Sequence, residues 1–165
     1  MNNELTKTDI DKMKAELEDR RLRLMPELIE EVKRTRAFGD LSENFEYKAA
    51  KQAQNRNKSR IRYLERMIAT AHVIEDHSGA GEVGLFDRVT VYLEEDEEVQ
   101  EVMVVTTVRA DTLQNRISKE SPLGRALLGK RVGDRVTVRV SDDYSFTAEI
   151  RALEKGTDDG SGEVL

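Results

Sequence analysis

Asp40, Glu43 and Glu46 crowd into the stretch RAFGDLSENFEYKAA, beside a glycine and between runs rich in lysine and arginine. Asp40 and Glu43 are three apart at what reads as the start of a helix, and two kinds of chemistry fit that spacing. Carboxylates complement the positive end of a helix dipole, and Asp40 or Ser42 would serve as an N-cap. Alternatively, one or both carboxylates ligate a divalent cation at an exposed point. Mg²⁺ suits that role, since it takes one or two carboxylates and leaves its other positions to water and phosphate. The pair cannot make a nuclease alone. No third ligand, phosphate cradle or arginine clamp accompanies it, so any phosphate chemistry requires a site completed by another protein.

The surroundings point to what such a partner carries. The 165-residue chain has a net charge of -6, which argues against simple wrapping of nucleic acid. Between Lys33 and Arg66, however, ten basic residues face four acidic ones. A local positive field on an acidic protein fits a negatively charged partner at one end only, although a charge run is also an ordinary solvated helix face. Cysteine is absent, which removes disulfides, thiolate zinc sites and thiol nucleophiles. His72 and His77 read as surface residues near a helix end, because a metal site needs more ligands than these two. The N-terminus lacks a basic-then-apolar pattern, and no run approaches the roughly 20 apolar residues of a membrane span, so the expected location is the cytoplasm.

Two long helices must position the acidic cluster. Residues 6–35 read as the first, with Thr6 as N-cap and Asp9 completing a weak capping box. Ile10, Leu17 and Leu24 recur every seven residues with Met13, Leu28 and Val32 nearby, the seam of a coiled coil. Pro26 interrupts this arm and predicts a kink or short break. Residues 44–74 read as the second helix, with a seam of Gln54, Asn57, Ile61, Leu64, Ile68 and Ala71. This seam is apolar at the far end and polar near the acidic cluster, so the arms should hold tightly at their base and loosely at the turn. The short connection Phe38–Ser42 makes the helices antiparallel neighbours, with arms on the order of 40 Å long.

After Glu75 the pattern changes. The glycine-rich stretch 76–84 reads as a linker, followed by strand-like runs FDRVTVYLE, VQEVMVVTTV, DRVTVRV and YSFTAEIRAL. The acidic block Glu94–Glu98 fits a hairpin turn. Ser121-Pro122 opens a short helix that Gly129 is placed to end. The fold class is therefore α+β: an antiparallel helical hairpin over residues 1–75 with its acidic tip near 39–44, then a small antiparallel sheet domain with one helix over 85–155. Residues 156–165 are expected to form a flexible tail.

Longer motifs sharpen this reading. GDLSENFEYKAAKQAQ with RIRYLERMIATAHVIE resembles the signature of bacterial Gre transcript-cleavage factors of the GreA type. ISKESPLGRALLGKRVGD resembles that family's second signature, IS-x-x-SP-x-G-x-AL-x-GK-x-x-GD. The resemblance implies an FKBP-like second domain that docks at the secondary channel of bacterial RNA polymerase, through Ser121, Pro122, Leu123 and Gly124. The coiled coil would then reach down the channel toward the extruded RNA 3′ end. Asp40 and Glu43 would be donated to the polymerase active site and help hold its second Mg²⁺, so that the polymerase's own site cleaves backtracked RNA. The chain would thus be no enzyme, have no cofactor of its own and be a monomer when free. Arg36, Lys48, Lys51 and Arg56 match the family's basic patch in kind, with Arg36 and Lys51 expected on RNA phosphate. Ser42, Asn44 and Tyr47 belong to the motif and would order the tip or touch polymerase.

The resemblance leaves an alternative, a Gre-like channel competitor that modulates or inhibits polymerase without stimulating cleavage. The chain also departs from the family where VVTTVRADTLQNRIS replaces the usual VG-x-x-E-A-D approach to the second signature. A prolyl isomerase would follow from fold alone, which does not imply function.

Overall fold

A capping box starts the first helix: the Thr6 amide donates to Asp9 Oδ2 at 3.0 Å and the Asp9 amide to Thr6 Oγ1 at 3.2 Å. A computed structural model describes residues 3–39 and 43–165; Asp40, Leu41 and Ser42 lie outside the described residues. The chain divides into two compact units, residues 10–71 and residues 1–9 with 72–165.

In the first unit, α1 (Lys7–Asp19) runs through a π-turn at Arg20–Leu24 into α2 (Met25–Arg36), and α3 (Phe45–Thr70) returns. Pro26 causes no break. Its missing N–H would leave an ordinary α-helix with an unpaired carbonyl, and the chain widens instead, the Met25 amide donating to the Arg20 carbonyl five residues back. The second arm is shorter than expected, because His72 and Val73 leave the helix for a strand.

The seam has the expected gradient. Met13, Leu17, Leu64 and Met67 are buried away from the turn, and toward it the buried positions are Asn57, Gln54, the small Ala50 and Thr35, with Val32 the one apolar side chain larger than alanine among them. Each large apolar side chain contributes about 1.5–3 kcal/mol, so most of the hairpin's hydrophobic stabilisation lies away from the turn. Asn57 is paired on both sides: its Oδ1 accepts from Arg20 Nη1 at 2.9 Å and its Nδ2 donates to the Arg20 carbonyl at 3.3 Å.

Glu16 is clamped between Arg60, at 2.7 and 3.0 Å, and Arg20, at 2.7 Å. These hydrogen bonds, Arg60's first, hold its pKa below the ordinary glutamate range. A depressed acid contributes stability that is present above its unfolded pKa and lost as pH falls through its folded value. Thermal unfolding below about pH 4.5 should therefore cost Glu16→Gln less stability than wild type, relative to each protein at neutral pH. Equal acid sensitivity would rule the clamp out as a contributor.

In the second unit, β3 (Arg88–Leu93), β4 (Glu98–Val105), β5 (Arg116–Ser118), β6 (Arg135–Arg139) and β7 (Ser145–Glu154) form one sheet in the order β5-β4-β3-β7-β6. The α+β class is as expected, but the sheet is mixed: β5, unforeseen, pairs parallel to β4. Alternate residues of β3, β6 and β7 point into a core of Val89, Val91, Val136, Val138, Ala148 and Ile150. Helix α4 (Pro122–Leu127) seats Leu127 on it. A second parallel pair joins β1 (Glu4–Leu5) to β2 (His72–Val73). The stretch 76–84 belongs to this unit rather than lying between the units, and Val83 and Gly84 are buried. The acidic block is a hairpin turn, tied down by Arg135 on Glu94 at 2.7 and 2.8 Å.

The tail is no free extension. Asp158 makes two hydrogen bonds to the Arg109 guanidinium, at 2.8 and 3.0 Å, and the Leu165 amide donates to the Val108 carbonyl at 2.7 Å. Arg109 also reaches Asp9 at 3.2 Å, and Asp9 Oδ2 accepts from Thr106 Oγ1 at 2.8 Å. Both Asp9 and Arg109 are buried.

Candidate functional site

Among the described residues of the turn between α2 and α3, Asn44 makes the side-chain hydrogen bonds that tie the two helices. Asn44 Oδ1 accepts from the Tyr47 amide at 3.0 Å, which makes Asn44 the N-cap of α3 in place of the expected Asp40 or Ser42. Its Nδ2 donates to the Thr35 carbonyl at 2.6 Å and so ties the end of one arm to the start of the other. Gly39 has φ +108°, a backbone that L side chains rarely adopt and that lets the chain reverse.

That frame leaves Glu43 exposed, with no ion-pair partner among the described residues. Because Asn44 is the cap, Glu43 is not required as one. Its partner in the motif, Asp40, lies outside the described residues, as does Ser42. One exposed carboxylate fits Mg²⁺ as a single oxygen ligand and cannot hold the ion unaided. Among the described residues no three His, Cys, Asp or Glu side chains gather as a metal-binding group.

The basic residues stand around this point unequally. Arg36 is exposed, its Nη2 donating to Tyr47 Oη at 3.0 Å, and this bond lowers the Tyr47 pKa from its ordinary value of 10.0. Lys48 is exposed; Lys51 is half-buried and donates to Gln54 Oε1 at 3.3 Å. Arg56 lies farther along α3, in a groove with Arg20, Ala53, Asn57 and Arg60. Glu46 is a surface charge 3.8 Å from Arg34.

Replacing Asn44 by alanine should cost the hairpin about 1 kcal/mol and open the Thr35 tie. Amide exchange at Tyr47 and Lys48 should speed up while that of Leu64 and Met67 stays unchanged. Uniform acceleration along α3 would contradict a role local to the turn.

In the small domain, Ser121 Oγ accepts from the Gly124 amide at 3.0 Å and donates to the Ser118 carbonyl at 2.6 Å, capping α4. Pro122 occupies the first turn and Leu123 packs on the core. A Cβ on Gly124 would fall 2.1 Å from the Ser118 carbonyl oxygen, so only glycine fits there. Local structure thus accounts for the four residue types. The surface beside them is a shallow pocket lined by Pro122, Arg125, Ala126, Thr137, Arg139 and Asp142.

Residues 3–73 match the family profile "Transcription elongation factor, N-terminal", and residues 78–155 match "Transcription elongation factor, GreA/GreB, C-term". The chain belongs to the GreA/GreB transcription elongation factor family. Relatives within it include the Transcription elongation factor GreA of Thermotoga maritima, 42% identical over 151 residues that cover 92% of this chain and 97% of that one. The GreA of Macrococcus caseolyticus is 40% identical, covering 88% and 92%. Among solved structures, the transcription factor Gfh1 is 30% identical, covers 91% of this chain and 96% of its own, and superimposes with a TM-score of 0.43. The assignment to the GreA/GreB family rests on the sequence matches. This chain is a transcription elongation factor of that family, and among its described residues no helix is long and apolar enough to cross a membrane.

Proposed function

We propose that this factor stimulates RNA polymerase to cleave backtracked RNA, and that it supplies ligands rather than a complete active site. The observation that carries this reading is Glu43, a carboxylate held in the hairpin turn with neither a capping duty nor an ion-pair partner among the described residues. Asp40, three residues before it, is the second donor. The hairpin enters the polymerase secondary channel, and the small domain docks outside through the surface around Ser121, Pro122, Leu123 and Gly124, where Arg125 and Arg139 favour an acidic partner. Arg36 and Lys51 hold phosphates of the extruded RNA 3′ end, with Lys48 and Arg56 behind them. Such contacts weaken with salt.

Asp40 and Glu43 would share Mg²⁺ with the polymerase, where the ion supplies the charge that stabilises the oxygens of an in-line displacement. The factor's own part is to bring two oxygens to that point and keep them there.

The experiment is RNA shortening in stalled polymerase complexes, with wild-type factor and the Asp40→Ala/Glu43→Ala variant. Wild type should shorten the RNA, and the variant should bind equally and shorten none. Inhibition by wild type without shortening would select the channel competitor instead.

A further inference from the structure

The hairpin turn carries aromatic side chains that the carboxylates do not explain. The whole chain has four phenylalanines and four tyrosines, and three of these eight, Phe38, Phe45 and Tyr47, fall within ten residues at the turn. Phe38 is 58% exposed and Phe45 is 78% exposed. Among the described residues neither ring closes the turn: the Phe38 amide, not its ring, bonds the Thr35 carbonyl at 3.1 Å, and Asn44 caps α3. Exposing a ring forfeits the stabilisation that burial would give it, so two such rings at one turn call for a partner that covers them.

The rings are placed for that. Phe38 follows Thr35 by three residues and Phe45 follows Asn44 directly, so both sit within about one helical turn of the Asn44–Thr35 hydrogen bond that joins the arms. Each ring also has a cation beside it. The Arg34 guanidinium lies 5.2 Å from the Phe38 centroid, and Lys48 Nζ lies 5.6 Å from that of Phe45. Arg36 stands 5.4 Å from the Tyr47 ring. Exposed aromatic faces interleaved with cations are the apparatus of single-stranded nucleic acid binding, in which bases stack on the rings and the cations follow the phosphates. A protein partner would cover apolar rings as well, but it gives no reason for so concentrated a positive charge, ten basic residues against four acidic between Lys33 and Arg66.

We infer that Phe38 and Phe45 form a stacking surface for unpaired bases of the extruded RNA. The inference rests on the proposed function for where the RNA is found, and it adds that the base, besides the phosphate, is gripped. Stacking is tolerant of sequence, because every base has a π-face, so this surface holds RNA in place without reading it.

The test uses polymerase complexes assembled on RNA with a non-pairing 3′ overhang, in two forms: ordinary nucleotides, or abasic nucleotides that keep sugar and phosphate. The affinity of fluorescently labelled full-length factor is measured for each, with wild type, Phe38→Leu and Phe45→Leu. Leucine keeps the apolar character and removes the π-face. On ordinary RNA each variant should bind about 10-fold more weakly than wild type, the size of one base–aromatic stack. On abasic RNA the three proteins should bind alike. An equal loss on both RNAs would mean that the rings touch polymerase and would overturn the inference, as would no loss on either. The readout is binding, so it stands whether or not wild type shortens the RNA; absence of shortening with the base-dependent difference intact would count against the proposed function alone.

Discussion

Replacing Arg109 with methionine should lower the stability of the small domain by about 3–5 kcal/mol, the usual cost of stranding a buried charge. Asp9 is fully buried beside it and would keep only the bonds from Thr6 and Thr106. Asp158 would lose both of its bonds to the guanidinium. Chemical denaturation measures the loss. Adding Asp9→Asn to Arg109→Met removes the stranded charge and should recover a large part of it, because exchanging a buried ion pair for neutral groups of similar size is often close to neutral. A loss under 1 kcal/mol for Arg109→Met alone would show that the cluster is not energetically coupled.

The second large effect concerns Glu43. Changing it to glutamine keeps the shape and removes the charge, and the turn should survive because its cap is Asn44. If Glu43 lends an oxygen to Mg²⁺, RNA shortening by stalled complexes should fall by about 10- to 100-fold, the range typical of weakened metal binding. Polymerase binding should stay constant, and added Mg²⁺ should restore part of the activity by mass action. A loss that no Mg²⁺ concentration relieves would point to a positioning role for the carboxylate. Full activity in Glu43→Gln would remove it from the site.

Much of this was legible in the sequence wherever the signal was local. The Thr6–Asp9 box and the Ser121-Pro122 helix start each depend on residues a few positions apart, and each forms as read. The heptad seam forms in part: Met13, Leu17, Val32 and Leu64 are buried as read, whereas Ile10, Leu24, Ile61 and Ile68 are only half-buried and Met67 is buried beside Ile68. Pro26 was legible as a disturbance, though not as a π-turn, because the choice between a break and a widened turn depends on what the opposite arm offers. The Asn44 cap was ambiguous, since Asp40, Ser42 and Asn44 are three good capping residues in five positions and propensity does not rank them. Its second bond, to the Thr35 carbonyl, favours Asn44, and only the folded hairpin provides it. Arg109 gave no warning. It meets Asp9 across a hundred residues and Asp158 across forty-nine, separations at which no periodicity survives. Strands as short as β1, β2 and β5 likewise exist only because a partner is there to pair with.

The two polar ties of the hairpin set a ruler. The Asn57–Arg20 contact and the Asn44–Thr35 contact are separated by fifteen residue steps on the outgoing arm, Arg20 to Thr35, and thirteen on the returning one, Asn44 to Asn57. At 1.5 Å per residue that mismatch is about 3 Å, and the wider π-turn, with more residues per turn, is where the surplus can be taken up. The reach of Glu43 beyond Asn57 is thereby fixed by a vernier of unequal scales. A lineage that lengthened or shortened this probe would have to edit both scales together, or lose one of the marks.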